Sequence, residues 1–435
     1  MKWLHLSDIH FNPEKDEVES LFLRKKLIDF LKEKEIIVDK VFLTGDYRDA
    51  SCQAGSDEAA ANIAKYILDV ACTVGVNDVE NILFVPGNHD LQRDFANRQE
   101  IIYEEKQRYD ANNGTIRNLA TLIDSFVFYR KVLEQIKGKK YTDSLFEYKY
   151  KINPHPLIML EKVCVLLLNT ELLVGEKIEM NGNTRVLDDR LFVGTRYVIN
   201  SLDLLESTKK PIIVLAHRGL DFLEPLEQRK LLKIFNDYNV CIYLCGHSHD
   251  LWCDDIHNLP QITMGCIKQQ DGVKAGFSIG EYDDFNRKII VEAYSWDNDM
   301  WKEYNHFDAD GYKKVWELDE KFLINEDDNI NTIKIVIGGV VREFQCKNVQ
   351  IEHSIEHGNV LSIATGRLIA QIKKDDYSNK IRADDRFVLS GSVWKVIGID
   401  NTSKKIITIT CYKDFINTWT DDMENGVASM DKIIQ

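Results

Sequence analysis

Short apolar runs of strand length recur through the first 250 residues, and each run ends in polar side chains. The five runs begin at Trp3, Val41, Ile82, Ile212 and Val240. Apolar runs bounded by glycine or polar residues are typical of buried strands. Two stretches between them repeat apolar residues at helical spacing and predict helices over 18–34 and from Ser56 onward. Strands that alternate with helices in this way predict an α/β fold.

The pattern changes between residues 91 and 150, where charged residues surround one apolar stripe. The stripe has helical spacing and contains Ile116, Leu119, Ile123, Phe126, Leu133 and Ile136. We interpret this segment as a helical insertion between the third and fourth strands. Because it starts directly after a polar strand end, it either caps a pocket there or packs at the periphery, and the sequence leaves both alternatives open. Arg93 and Arg98, near its start, are candidate phosphate contacts.

Strands predominate in the later part of the chain. They are predicted at 163–168, 261–264, 275–279 and 288–294, with a helix from 189 to 205. We therefore expect two packed sheets flanked by helices in a domain of residues 1–305, followed by a helical and acidic linker at 306–330. Residues 331–435 are predicted to form a small all-β domain, because apolar runs there flank hairpin signals such as Gly338-Gly339.

Length and composition limit the class of protein. The chain has 435 residues, 44% hydrophobic and 29% charged, which favours a globular protein of two domains. No apolar run reaches the ~20 residues that span a bilayer, and Asp8 comes too early for a signal peptide, so we expect a cytoplasmic protein. The nine scattered cysteines are typical of thiols in a reducing compartment. A net charge of −15 argues against a broad surface for duplex DNA.

The polar residues at the strand ends are of types that bind metal ions. In chain order they are Asp8, His10, Asp46, Asn88, His217, His247 and His249. In layered α/β proteins, ligands bind beyond the carboxyl ends of the strands, so these side chains are expected to converge. Residues two apart in an extended segment point the same way, which predicts that the last two histidines project together. Mixed imidazole and oxygen ligands favour a transition metal over magnesium.

In these blocks the sequence resembles the calcineurin-like metallophosphoesterases, whose motifs are D-x-H, G-D, G-N-H-D or G-N-H-E, a lone H, and G-H-x-H. The blocks occur in that order across residues 1 to about 300. The resemblance implies a four-layer fold, an enzyme that hydrolyses phosphate esters, and two divalent transition-metal ions. The mixed ligands fit manganese, iron, zinc or nickel, and we expect manganese. The resemblance assigns Asp8, His10 and His249 to one ion, Asn88, His217 and His247 to the other, and Asp46 to both.

The resemblance also implies roles for residues that hold no metal. His89 is expected to face the scissile phosphate and to assist the leaving oxygen, while a water molecule activated by the two ions attacks. Asp90 is expected to hold the second ring nitrogen of His89. Arg218 and Arg48 follow ligand blocks closely and are candidate contacts for the phosphoryl group.

The form of the third block bears on the substrate. Aspartate rather than glutamate at position 90 favours phosphodiesterases over serine/threonine protein phosphatases, so we expect a phosphodiesterase acting on a nucleotide or nucleic acid. A phosphomonoesterase and a non-catalytic scaffold stay open as alternatives. Residues 386–428 are loosely similar to modules at the C-terminal ends of some tailed-phage structural proteins. We therefore expect the C-terminal domain to bind a protein partner or to self-assemble.

Overall fold

A computed structural model describes most of the chain. The described residues are 1–12, 18–110, 113–148, 151–175, 177–180, 183–186, 190–205, 210–268, 273–284, 286–309, 311–318, 331–337, 340–357, 362–373, 380–383, 385–389, 392–400 and 406–413. The chain forms two compact units, residues 1–323 and 324–435. None of the described helices has the length and apolarity that a membrane crossing requires.

Eight α-helices are described in the first unit. They are α1 (Val18–Glu33), α2 (Asp57–Thr73), α3 (Arg98–Arg108), α4 (Leu119–Asp124), α5 (Val127–Lys137), α6 (Lys139–Leu145), α7 (Thr195–Leu202) and α8 (Pro225–Asp237). Both helices predicted near the N-terminus are present, and Ser56 caps α2 by accepting a hydrogen bond from the Ala59 N–H at 3.2 Å. The helix that was predicted to begin at residue 189 begins at Thr195, because Gly194 before it has a φ of 80°, which is not helical. Residue 189 itself lies outside the described residues.

Seventeen strands are described in the same unit. They are β1 (Lys2–Leu6), β2 (Lys40–Leu43), β3 (Ile82–Phe84), β4 (Glu147–Tyr148), β5 (Lys151–Ile152), β6 (Leu157–Met159), β7 (Cys164–Leu168), β8 (Lys177–Met180), β9 (Asn183–Val186), β10 (Ile212–Ala216), β11 (Val240–Cys245), β12 (Trp252–Ile256), β13 (Leu259–Thr263), β14 (Gly276–Asp283), β15 (Lys288–Asp297), β16 (Met300–Glu303) and β17 (Lys313–Glu317). All five runs that precede polar blocks are strands, as predicted.

Two mixed sheets form the centre of the unit. One has the order β16-β15-β14-β1-β2-β3, with β17 also paired to β15, and the other has the order β12-β13-β11-β10-β7-β6. Strands β1 to β3 pair in parallel, and so do β7, β10, β11 and β13. The carboxyl ends of the parallel strands within each sheet therefore lie along one edge, where ligands bind in folds of this kind.

The central strands are buried on both faces. In β10, Ile213 and Leu215 pack in the cluster that contains Trp3 of the other sheet. Val214, on the opposite face, packs in the cluster that contains Leu231 of α8. Burial on both sides explains why these strands are continuous apolar runs instead of alternating ones. The predicted arrangement of two packed sheets between helices is confirmed.

The insertion predicted at 91–150 contains α3 to α6, and its apolar stripe is buried. All six stripe residues, Ile116, Leu119, Ile123, Phe126, Leu133 and Ile136, are at most 8% exposed. Helix α5 packs against α2, and the Tyr129 hydroxyl donates to the Phe84 carbonyl at 3.1 Å. This packing favours the peripheral alternative for α5, whereas residues 91–94 line a cavity near the strand ends.

The linker predicted at 306–330 is not helical in its described part. Lys313–Glu317 forms β17, antiparallel to β15, and the Trp316 indole donates to Asp255 Oδ1 at 3.0 Å. Lys314 and Trp316 are the half-buried residues of this strand. Burial alternates from one residue to the next along this segment, as in a strand, and β15 supplies hydrogen-bonding partners for it. Together these outweigh the helix propensity of the charged residues. The first unit therefore extends to residue 323 rather than 305, and residues 319–330 lie outside the described residues.

The second unit is all-β in its described residues, as predicted. Its strands are β18 (Asn331–Ile337), β19 (Val340–His357), β20 (Ser362–Lys373), β21 (Arg386–Leu389), β22 (Ser392–Asp400) and β23 (Ile406–Lys413). They form a closed barrel in the order β18-β19-β20-β23-β22-β21. The turn predicted at Gly338-Gly339 falls outside the described residues, and β18 and β19 on either side of it pair in antiparallel fashion.

Candidate metal centre

The polar residues that follow β1 and β11 meet although more than 230 positions separate them. The Nε2 atoms of His10 and His249 lie 2.8 Å apart. Asp8 Oδ1 lies 3.5 Å from the first of these nitrogens and 3.2 Å from the second. One carboxylate oxygen and two imidazole nitrogens thus form a group within reach of a single cation.

A second group forms where β2, β3, β10 and β11 end. His217 Nε2 lies 3.4 Å from Asp46 Oδ2 and 3.1 Å from Asn88 Oδ1. His247 joins this group, with one ligand atom of each of Asp46, His217 and His247 lying within 4.8 Å of the others. The structure therefore brings together all seven residues that the sequence indicated as ligands.

Asp46 lies between the two groups. Its Oδ2 is 3.4 Å from His217 Nε2 and 3.9 Å from His10 Nε2, and so faces one imidazole of each group. Its Oδ1 accepts the backbone N–H of His89 at 2.8 Å. A carboxylate in this position could contact a cation in each of the two groups.

Five of the seven residues have a left-handed backbone conformation. The φ angles are 52° for Asp8, 47° for His10, 54° for Asp46, 72° for His247 and 57° for His249. Non-glycine residues rarely adopt positive φ, and such conformations concentrate at functional sites, where the surrounding structure stabilises them. Positive φ at five positions that converge in space is therefore an observation of the kind that marks a functional site.

Neighbouring groups orient two of the candidate ligands. Asp8 Oδ2 accepts the Ser7 hydroxyl at 2.5 Å and the His247 backbone N–H at 2.9 Å. His217 Nδ1 lies 2.7 Å from the Thr44 carbonyl, and this contact makes Nδ1 the protonated nitrogen and turns Nε2 toward Asp46. Sequence reasoning missed Ser7 and Thr44, because hydroxyl and carbonyl groups next to a ligand block give no distinctive pattern.

The donor set fits a pair of divalent cations. Asp8 Oδ1 is buried and has no hydrogen-bond partner among the described residues, although two imidazoles face it. A buried carboxylate oxygen without a hydrogen bond is costly, and a cation would satisfy it. Oxygen and imidazole donors together suit manganese, iron, zinc or nickel.

The charges within the site depend on one another. Burial acts to raise the pKa of Asp8, but the imidazoles of His10 and His249 outweigh it and hold the pKa well below its usual value. Burial acts to lower the pKa of His217, but the Asp46 carboxylate raises it to about 10. The ionised carboxylates attract protons onto the neighbouring imidazoles. A divalent cation bound at the carboxylates would displace those protons from the imidazoles.

Asp90 has a different role from the one expected. Its carboxylate accepts the backbone N–H groups of Asp46, Tyr47 and Gly87 at 2.9, 2.9 and 2.8 Å. His89 Nδ1 is buried and has no hydrogen-bond partner among the described residues. The expected contact between Asp90 and the His89 ring is therefore wrong. The turns after β2 and β3 bury backbone N–H groups that have no backbone acceptor among the described residues and no access to water. The Asp90 carboxylate accepts their hydrogen bonds, so it is not available to the His89 ring.

Three of the four arginines indicated by the sequence have different surroundings, and the fourth, Arg93, lines the cavity near the strand ends. Arg48 donates to the carbonyls of Cys52 and Leu91 and lines the cavity near the strand ends, and its contact with substrate stays a prediction. Arg98 is fully buried and donates to the backbone carbonyls of Glu171, Leu172 and Val174, which excludes a phosphate contact. Arg218 lies beside the candidate metal ligands, with Nη1 2.8 Å from His247 Nε2.

The chain is similar to several known proteins. It is 26% identical over 420 residues to the "Uncharacterized metallophosphoesterase-like protein YydB" of Bacillus subtilis (strain 168), covering 91% of this chain and 78% of that protein. Among solved structures, GAP50, the anchor in the inner membrane complex of Plasmodium, is 13% identical with a TM-score of 0.37 and coverage of 74% and 91%. Vacuolar Protein Sorting 29 from Cryptosporidium parvum is 10% identical with a TM-score of 0.33 and coverage of 73% and 97%.

Two family models match separate parts of the chain. The model of the YomX C-terminal domain matches residues 331–412, which agrees with the phage-type resemblance noted for the C-terminal end. The model of the calcineurin-like phosphoesterases matches residues 1–251, more than half of the chain, and includes every ligand block described above. The protein therefore belongs to the calcineurin-like phosphoesterase family of metal-dependent enzymes.

Proposed function

We propose that this protein is a cytoplasmic phosphodiesterase that hydrolyses a nucleotide or nucleic-acid phosphodiester with the help of two divalent cations. The proposal is supported by the complete set of seven ligand residues and by their convergence at the edges of two sheets. A scaffold protein that had lost catalysis would have no need to keep these seven residues together, five of them in left-handed backbone conformations.

Asp8, His10 and His249 are proposed to hold one cation, and Asn88, His217 and His247 the other. Asp46 is proposed as the shared ligand because it faces an imidazole of each group. Manganese is the proposed metal for activity. When bound, the cations would neutralise the phosphate and acidify a water molecule for attack on phosphorus.

His89 is the proposed general acid. Its side chain is 25% exposed, whereas Asp8 and Asp46 are buried, and its Nε2 lies 3.8 Å from Asp46 Oδ2. An imidazole that borders both the ligands and an open cavity is suited to donate a proton to the leaving oxygen. Arg218 is the proposed contact for a non-bridging phosphoryl oxygen, which its planar guanidinium suits.

The observation that supports a nucleotide or nucleic-acid substrate is the cavity beside His89, which we call the His89 cavity. It has a volume of about 800 Å³ and is lined by Arg48, residues 50–55, Asn88, His89 and residues 91–94. The leaving group of a nucleotide diester is itself a nucleoside or nucleotide and needs space on the side of the general acid. A cavity in this position supplies that space.

The experiment compares two esters in the manganese-loaded protein. We expect faster turnover of bis-p-nitrophenyl phosphate than of p-nitrophenyl phosphate, and loss of both activities in Asp46→Ala. Faster monoester turnover would favour a phosphomonoesterase instead. Absence of turnover with any transition metal and any ester would favour a scaffold.

His89→Ala tests the acid role more sharply. Nitrophenolate leaves easily without a proton, whereas the alkoxide of a dinucleoside monophosphate does not. We therefore expect kcat to fall by about a hundredfold or more on the dinucleotide and by less on the nitrophenyl diester. The control is His257→Asn, an exposed histidine outside the candidate site. Equal losses on both esters would contradict the role of His89.

The second unit is proposed to bind a protein partner or to self-assemble. This is supported by the match of residues 331–412 to a YomX C-terminal domain. Among the described residues, every cluster of histidine and aspartate side chains that could hold a metal ion lies in the first unit.

A further inference from the structure

A buried ion pair lies beside the proposed catalytic residues. The Glu171 side chain has no exposed surface, and that of Arg218 is 5% exposed. Arg218 Nε donates to both carboxylate oxygens of Glu171, at 3.1 and 3.0 Å. None of the roles assigned above involves Glu171.

The sheet topology explains why the two residues meet. β7 and β10 are adjacent parallel strands, with Leu168 opposite Ala216 at their carboxyl ends. Glu171 follows the first strand end by three residues, and Arg218 follows the second by two. Thr170 joins them, because its Oγ1 accepts the Arg218 backbone N–H at 3.2 Å and donates to Glu171 Oε1 at 2.8 Å.

The pair directs the guanidinium toward the proposed metal ligands. Arg218 Nη1 lies 2.8 Å from His247 Nε2, and Nη2 lies 3.4 Å from Asn88 Oδ1. With Nε held by the carboxylate, the planar group is fixed in rotation and its two Nη atoms face the site. A phosphoryl group beside the second cation would lie next to these atoms.

The turn that carries Glu171 is held from two further directions. Arg98 of the insertion donates to the carbonyls of Glu171 and Leu172 at 3.2 and 3.0 Å. His155 Nδ1 accepts the Asn169 backbone N–H at 3.1 Å. A turn supported on both sides keeps the carboxylate in place without help from substrate.

Stability alone gives a weak reason for such a pair. Burying two charges costs about as much solvation energy as their attraction returns, and an apolar pair of similar volume often serves stability equally well. We propose that Glu171 is a positioning residue, which holds Arg218 in the orientation that binds the phosphoryl group of the substrate. This proposal rests on the proposed function, since it concerns the same site.

The test measures binding of orthophosphate to the manganese-loaded full-length protein by titration calorimetry. We expect Glu171→Gln to weaken phosphate binding by about tenfold, because a charged hydrogen-bonding partner of Arg218 is lost. In an Arg218→Ala background, the same substitution is expected to cause no further loss, because Glu171 acts through Arg218. In turnover assays the single variant is expected to raise KM more than it lowers kcat.

Glu227→Gln is the matched control. Glu227 is equally buried, but among the described residues its hydrogen-bond donors are Tyr109, Val193 and Gly194 and do not include Arg218 or a proposed metal ligand. It is expected to leave phosphate binding unchanged. If Glu171→Gln fails to fold, Thr170→Val tests the same point, with an expected loss of several-fold.

The proposal would be overturned if Glu171→Gln weakened phosphate binding equally in the wild-type and the Arg218→Ala backgrounds. It would also be overturned if phosphate binding were unchanged in both Glu171→Gln and Thr170→Val. The proposed function fails separately. A protein that binds phosphate through Arg218 but turns over no ester would keep the role of Glu171 and refute the phosphodiesterase.

Discussion

Gly87 lies against the carboxylate and the backbone of Asp46. A Cβ atom at this position would lie 2.1 Å from Asp46 Oδ1 and 2.2 Å from its backbone nitrogen. Gly87→Ala is therefore expected to displace the shared ligand and to lower the number of manganese ions bound per chain, measured by elemental analysis after dialysis. Gly55→Ala is the control, since its Cβ would meet no atom within 4 Å. Full metal content in Gly87→Ala would contradict the shared role of Asp46.

His155 links stability to pH. Its Nε2 lies 2.8 Å from the Val193 carbonyl, and burial lowers its pKa from 6.5 to about 4. Because the folded state keeps His155 neutral while the unfolded chain takes up a proton, its contribution to stability falls as the pH drops from about 6.5 to about 4 and stays constant below that range.

Urea unfolding near pH 7 and near pH 5 measures this effect. The wild type is expected to lose about 2 kcal/mol more of its unfolding free energy between the two conditions than His155→Gln, whose side chain does not titrate. The two proteins would show the same pH dependence if His155 were protonated in the folded state.

At the scale of elements, the wall of the His89 cavity formed by residues 50–55 offers a test of leaving-group size. Ala54 is half-buried in this segment, and Ala54→Trp would fill part of the cavity. We expect kcat/KM for a dinucleoside monophosphate to fall by about tenfold, since displaced nucleoside contacts are lost, with a smaller effect on bis-p-nitrophenyl phosphate. Equal effects on both substrates would show that the cavity does not receive the leaving group.

Strand β17 shows where periodicity is ambiguous. Its five residues, Lys313–Glu317, contain good helix formers, and the sequence predicted a helix. Pairing with β15 decided the outcome, because a long neighbouring strand supplies hydrogen bonds that no local pattern reveals. The longer runs that begin at Ile212 and Val240 were predicted correctly, since burial on both faces leaves an uninterrupted apolar stretch.

At the scale of the molecule, the first unit contains its own core and all proposed catalytic residues. The two apolar clusters described in the structure contain residues of the first unit, from Met1 to Leu318. A chain ending after residue 323 is therefore expected to fold, to bind manganese and to keep kcat within about twofold of the full-length value, because a compact unit with its own core folds independently. Thermal unfolding and turnover of the shortened chain check this. Loss of metal binding in a folded fragment would show that the second unit contributes to the site.

The sequence by itself determined the class of fold, the residues with metal-ligand chemistry and the division into an α/β unit and an all-β unit. These features depend on local periodicity and on residue types at strand ends, which the order of amino acids contains directly. The resemblance carried by the five blocks indicated the family, and the match over residues 1–251 confirmed it.

Only the tertiary structure decided how the supporting residues act. Glu171 follows an apolar strand as the ligands do, but its partner Arg218 is 47 positions away and becomes its neighbour only because β7 and β10 pair in parallel. Asp90 adjoins His89 in sequence yet bonds to the backbone of residues 46, 47 and 87. Hydrogen bonds in a buried site depend on which donors the fold leaves without water, and that is a property of packing and not of sequence position.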